Sequence, residues 1–277
     1  MEEKKYYRMR CKSIEKIGVL ISTFCLSAVL TPNAETVSER EYEFGYRIPK
    51  NTPGLVYNVK VIDREKGETK SGYAKRVHVS GRLSFRRAKE NEKLLIATSR
   101  IQKLDVSGKD SKHLTNKELG QLNSMTVPYK VSQNGTPRET KEAKQKARQQ
   151  LKASNSPEIL RYAGRLFRGF LLATIPLPEG DGQADKTGSY TWTSKIDICI
   201  HDTPMNVQAY PLGDAMVITA QTSFKNTSSE TLSLSQKPDK LVAIWRDGKI
   251  VKGEYRAYVD GQEMVVKIVH IPSEEEP

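Results

Sequence analysis

The sequence predicts a mainly β protein with a helical insert, of the α+β class. It is expected to form two antiparallel β-rich halves, the first a curved sheet or half-barrel covered by one apolar helix. Three observations carry this. Apolar and polar residues alternate over most of the chain from residue 42 onward, the period of a strand with one face in water. One segment, Ile159 to Leu171, spaces its apolar residues as a helix does. Between the halves, Pro176-Leu177-Pro178-Glu179-Gly180-Asp181-Gly182 is dense in residues that stop regular structure.

In the first half, Tyr42, Phe44, Tyr46 and Ile48 open a predicted strand, and Tyr57, Val59 and Val61 resume the pattern after Pro53-Gly54. The clearest case sets Val77, Val79, Gly81, Leu83 and Phe85 against Arg76, His78, Ser80, Arg82, Ser84 and Arg86. Such a strand belongs to an antiparallel sheet with one solvated face. Another strand covers about 93–104, and polar residues 107–124 hold a short helix opened by the capping box Thr115-x-x-Glu118. Met125, Val127, Tyr129 and Val131 alternate again. Pro128 lacks an amide donor, which places that strand at an edge or at a bulge, and Asn134-Gly135 turns the chain.

Two helices come next. Thr136, Pro137 and Glu139 read as a cap, a first-turn proline and a capping-box acid for a helix running to about Ser154. Its apolar stripe is only Ala143, Ala147 and Leu151, so Arg138, Lys141, Lys144, Lys146, Arg148 and Lys152 read as a solvated basic face. The second helix begins at Ser156-Pro157-Glu158. Its wide apolar set (Ile159, Leu160, Ala163, Leu166, Phe167, Phe170, Leu171) has to be buried, most simply on the first sheet. The second half starts with Tyr190, Trp192, Ser194, Ile196, Ile198 and Ile200 on one face. Gly213-Asp214, Asp247-Gly248 and Asp260-Gly261 mark hairpin turns among strands near 205–210, 215–225, 240–246, 249–258 and 263–271. The segments are thus an N-terminal 1–34, a first β region 35–135, a two-helix segment 136–175, a linker 176–188 and a second β region 189–277.

Residues 1–34 read as a signal peptide or an N-terminal anchor. Lys4, Lys5, Arg8, Arg10, Lys12 and Lys16 precede an uncharged apolar run from Ile17 to Leu30. That run suits a signal-peptide core and falls short of the ~20 residues of a spanning helix. Positive charge before it directs the rest of the chain outward, to the periplasm or the exterior, or to a membrane tether through 17–30. Ala34 fits the residue before a cut, although Pro32 stands where a small residue is preferred. Phe24 stands where a lipid-attachment site at Cys25 needs a small residue. Removing the segment takes Cys11 and Cys25 with it and leaves Cys199, hence no intramolecular disulfide. Of the net charge of +12, about +3 lies in residues 1–34, and the rest favours anionic partners such as lipid headgroups or an envelope polymer. Export makes nucleic acid the least favoured of these.

No residue pattern makes a strong catalytic or metal site. Cys199, His201 and Asp202 are adjacent, but Cys199 is out of phase with Ile198 and Ile200, and catalytic Cys and His usually meet through the fold. His78, His113 and His270 are scattered without zinc-ligand spacing. The loop Glu179-Gly180-Asp181-Gly182 has too few carboxylates for calcium, and no nucleotide or nucleophile-elbow motif is present. The expectation is a protein without catalytic, metal or cofactor residues. Asn134 and Asn226 each match the glycosylation acceptor pattern in a predicted turn.

An aromatic first strand (Tyr42-x-Phe44-x-Tyr46), a helix leading to Leu177-Pro178, and a strand opening on Gly188-Ser189-Tyr190-Thr191-Trp192 come after an export segment. In that order the chain resembles uncharacterised secreted or lipoprotein-like β-rich proteins of bacterial envelopes, over most of residues 40–260. The resemblance implies an envelope location and no particular activity. The function expected is a non-enzymatic exported envelope protein with a lipid or other hydrophobic ligand in the cavity a covered half-barrel encloses. A structural or assembly module binding another envelope protein is the alternative, and a hydrolase the third class.

Overall fold

The computed structural model describes residues 46–52, 54–66, 73–91, 93–108, 112–113, 125–131, 137–153, 157–178, 184–194, 204–222, 238–259 and 262–272. All of them belong to one compact unit, Glu41–Pro277. Its strands are β1 (Leu55–Lys66), β2 (Tyr73–Arg87), β3 (Leu94–Gly108), β4 (Lys112–His113), β5 (Met125–Val131), β6 (Pro137–Glu139), β7 (Tyr190–Ser194), β8 (Met205–Leu212), β9 (Ala215–Thr222), β10 (Lys240–Arg246), β11 (Lys249–Val259) and β12 (Gln262–Ile271). Among the described residues three helices lie between β6 and β7: α1 (Lys141–Ala153), α2 (Pro157–Arg165) and α3 (Phe167–Ala173).

The strands form one sheet in the order β6-β5-β3-β2-β1-β12-β11-β10-β9-β8-β7, with β4 added beside β3. Every pairing is antiparallel. The two β-rich stretches of sequence therefore meet edge to edge. β1 and β12 join them in register from Val56↔Ile271 to Glu65↔Gln262. The fold is mainly antiparallel β with a helical insert, as the alternation and the one helical segment predict. Its two end strands, β6 and β7, do not pair with each other, so the sheet stays open.

Local chemistry explains most boundaries. Asp247 and Gly248 both have positive φ (51° and 75°), the type I′ geometry that matches strand twist. Only Gly213 is positive (63°) in the Gly213-Asp214 turn, as a type II′ turn requires. Pro128 sits where β5 has run past β6, which reaches only Tyr129–Val131. The amide of Thr126 points to that free edge and bonds Gln150 Oε1 (3.1 Å), while Gln150 Nε2 donates to the Thr126 carbonyl (2.7 Å). Two residues on, the proline nitrogen faces the same way, so its missing donor leaves no gap in the ladder. Helix α1 thereby covers an edge that would otherwise template pairing.

Three details differ from the sequence reading. Tyr46 to Ile48 are not a strand. This stretch hydrogen-bonds instead to a hairpin turn, Arg47 N–H donating to the Gly248 carbonyl (2.8 Å). Helix α1 is capped by Thr140, whose hydroxyl accepts from Ala143 N–H (3.1 Å), because Pro137–Glu139 pair with β5 as β6. The apolar helix is two pieces. At Leu166 the bonds tighten to three-residue spacing, Leu166 N–H to the Ala163 carbonyl and Gly169 N–H to the Leu166 carbonyl.

Alternation sorts the sheet into two faces. One carries Tyr57, Val59 and Val61 of β1, Val79, Leu83 and Phe85 of β2, Leu95 and Ala97 of β3, and Val266 and Ile268 of β12, all buried, with α2 and α3 packed on it. The same face continues through Tyr255, Leu241, Ile218, Met216, Val207 and Met205 to Tyr190. Its one fully buried carboxylate among the described residues, Asp239 (1 % exposed), accepts from Tyr255 Oη (2.7 Å) and Tyr258 N–H (3.3 Å). The opposite face is mostly polar over β1–β3, with Val56, Ile62 and Ile96 as its apolar members.

Candidate functional site

The helix–sheet interface is the richest constellation in the described chain. Phe170, fully buried, meets Phe85 edge-on (5.0 Å between ring centres) and Tyr129 at a tilt (4.4 Å). Phe85 stacks on Tyr57 (5.6 Å), Tyr57 meets the His270 ring (5.3 Å), and Phe167 lies against Tyr129 (6.3 Å). Each pair adds ~0.5–1.5 kcal/mol beyond burial. Close approach comes from glycine. A Cβ on Gly169 of α3 would stand 2.7 Å from both Val59 methyls, and one on Gly81 of β2 would stand 2.7 Å from Leu166 Cδ1. The strand Val77–Phe85 therefore lies directly beneath the helices, with their side chains seated on it.

Polar contacts tie these helices down at both ends. Asp63 shares the inward phase of Tyr57, Val59 and Val61, and its carboxylate meets Arg165 Nη1 (2.5 Å) and Arg168 Nη1 (3.0 Å). Arg165 also lies over the Tyr162 ring (5.0 Å). Beyond α3, the buried segment Thr174–Leu177 is held by Tyr46 Oη donating to the Ile175 carbonyl (2.7 Å) and Trp192 Nε1 to the Pro176 carbonyl (3.2 Å). Burial, and then the neighbouring Tyr57, push the Tyr46 phenol well above its ordinary range, so it remains a donor.

The Asp63 contacts are about a third open to solvent on the arginine side, so each is worth ~0–1 kcal/mol. Asp63→Asn is therefore expected to cost only about 1 kcal/mol overall, while selectively loosening α3. Hydrogen exchange should show the amides of Phe167–Ala173 losing protection before those of β1 and β2. Equal protection in the variant and the parent would remove the latch.

The residues singled out from sequence fall apart in space. His270 lies in the aromatic cluster on the inward face, whereas His78 is outward on β2, opposite Asp105. His113 is in β4. Among the described residues no three His, Cys, Asp or Glu side chains gather as metal ligands. Cys199, His201, Asp202, the Glu179–Gly182 loop, Asn134, Asn226, the 115–118 capping box and the segment 1–34 lie outside the described residues. Lys141, Lys144, Arg148 and Lys152 line a cleft of about 540 Å³ with Gln145 and Gln149 along the outer side of α1. Burial first, then Lys60, Arg76 and Lys103, lower the His78 pKa, with Asp105 opposing. The folded state thus binds this proton less readily than the unfolded chain, and its contribution to stability is lost as pH falls below about 6.5.

Sequence reasoning missed Asp63, although a signal existed: a charge in the inward phase of an apolar strand. No family model matches the sequence, and no curated protein does. Among solved structures, the chain is similar to one described as "Lipid-protein interactions in lipovitellin", at 12% identity and a TM-score of 0.40. The match covers 80% of this chain and 26% of that one. No helix of the described residues is long and apolar enough to cross a membrane.

Proposed function

We propose that this is a non-enzymatic, exported protein that holds a lipid or other hydrophobic ligand against the apolar face of its sheet, with α2 and α3 as the lid. One observation carries the reading. An apolar face running across the whole sheet is covered from β5 to β11 by helices of nine and seven residues, tied at the ends by a few polar contacts. Helices shorter than ~12 residues are not stable alone, so these owe their form to the face beneath them. An acyl chain offers the same face comparable apolar area, worth ~25 cal/mol per Å². Exchange of lid for ligand therefore trades like for like, and the Asp63 pair sets the threshold.

Native mass spectrometry of mildly purified protein should reveal a bound amphiphile. Consistent absence of any adduct, together with crosslinks to one specific protein, would favour the assembly-module reading instead. The export reading rests on the basic flank and apolar run of residues 4–30. N-terminal sequencing of the mature protein tests it: a start near residue 35 fits release, an intact Met1 fits a tether, and a cytosolic location opposes both.

A further inference from the structure

The face of the sheet turned away from the helices carries more cations than its carboxylates among the described residues, Asp105, Glu254 and Glu263, can neutralise. Side by side across β3, β2, β1 and β12 run two rows. In the first, Arg100 is directly opposite Arg82, which is opposite Asn58 and then Val269. In the second, Lys103 is opposite Ser80, then Lys60, then Lys267. Lys60, Arg76, Arg82, Arg100, Lys103 and Lys267 are all exposed. Lys267 has a partner in Glu254 (2.7 Å), but among the described residues Lys60, Arg82, Arg100 and Lys103 form no ion pair. Like charges directly opposite across strands are destabilising. Two such pairs, Arg82/Arg100 and Lys60/Lys267, stand next to each other here.

We propose that this face docks on an anionic phospholipid bilayer. Three features choose a bilayer over an anionic polymer. The cations are spread over four neighbouring strands, ~5 Å apart, interspersed with Asn58, Ile62, His78, Ser80, Ser84, Thr98 and Asp105, so they present a broad patch, not a single file. Apart from His78 no ring projects among them, and single-stranded nucleic acid binding relies on such rings. At one end Val56, Val269 and Ile271 cluster, Val269 being 47% exposed, which suits the boundary between headgroups and acyl chains. Burial is the main cause of the lowered His78 pKa, and Lys60, Arg76 and Lys103 of this face add to it. This surface is separate from the helix-covered face, so its failure leaves the ligand reading untouched.

The test is co-sedimentation of the full chain with phosphatidylglycerol/phosphatidylcholine vesicles, against phosphatidylcholine alone. The N-terminal run, unchanged in every variant, contributes equally throughout. Each basic residue near an anionic surface contributes about fivefold in affinity. The triple variant Lys60→Gln/Arg82→Gln/Arg100→Gln should therefore bind roughly a hundredfold more weakly, and binding of the parent should weaken with added salt. A matched triple on α1, Lys141→Gln/Arg148→Gln/Lys152→Gln, should bind much as the parent does. Arg82→Glu serves as the folded check. It turns a repulsive pair with Arg100 into an attractive one, so its melting temperature should hold or rise while vesicle binding falls. Equal loss in the α1 control, equal binding to neutral vesicles, or capture of polygalacturonate or DNA by these residues without vesicle binding would overturn the proposal.

Discussion

Gly169→Ala is expected to destabilise the protein although alanine is the better helix former. Helix propensity favours Ala by ~1 kcal/mol, but the new Cβ would stand 2.7 Å from both methyls of Val59 and 3.1 Å from Ile268 Cγ2. Val59 is β-branched, buried and held in a central strand, so it cannot rotate aside cheaply. Overpacking of this kind costs ~1–3 kcal/mol. The steric cost outweighs it, by up to about 2 kcal/mol net, a fall of up to several degrees in Tm for a domain this size. The cause can be isolated. Val59→Ala removes the obstructing methyls, so the Gly169→Ala/Val59→Ala pair should be more stable than the sum of the single effects by ~0.5–3 kcal/mol. Gly81→Ala is a contrasting case. There the added carbon meets the Arg100 carbonyl oxygen as well as Leu166, at a bulge between Ser80 and Gly81, and trimming Leu166 cannot clear a backbone atom. Simple additivity at Gly169 and Val59 would show that α3 does not sit on β1 as described.

The strands were legible because each of the long ones has one wet and one dry face. Val77 to Phe85 alternate without error, and Asp247-Gly248 announces its turn in two residues. Tyr46 and Ile48 misled for the same reason. Period two places alternate residues on one side of any extended segment, and these pack on the core from a coil whose hydrogen bonds go to a turn about 200 residues later in the chain. Thr136-Pro137 looked like a helix start because cap chemistry is local, whereas the pairing of Pro137–Glu139 with β5 is not. The junction of β1 with β12 had no local signal at all, since it depends on which edges remain after the hairpins form. The site was half legible. Phe167 and Phe170 stood out as a buried helical face, but their partners Tyr57, Phe85 and Tyr129 come from three strands whose order only the fold reveals. The opposed Arg82 and Arg100 needed the register itself.

Phe170→Ala is expected to have the largest effect of any single side-chain truncation at the lid. The ring is fully buried between Phe85 and Tyr129, and removing a phenyl from such a place costs ~3–5 kcal/mol, part transfer and part cavity. A domain with ~5–15 kcal/mol of stability keeps its fold but with a much lower urea midpoint. Phe170→Leu should cost less and serves as the milder variant. The cavity left is lined by apolar rings, and such cavities stay dry and accept small apolar molecules. Benzene should therefore raise the melting temperature of Phe170→Ala increasingly as its concentration rises above its Kd and leave the parent unmoved. The lid reading adds a second expectation. Phe170 is the anchor that any ligand must displace, so weakening it raises the fraction of molecules with α3 released, and apparent affinity rises by that fraction. A fluorescent fatty acid should bind Phe170→Ala more tightly than the parent, and Phe170→Leu in between. Were benzene to stabilise Phe170→Ala while the fatty acid bound none of the three proteins, the helices would be a fixed part of the core, not a lid.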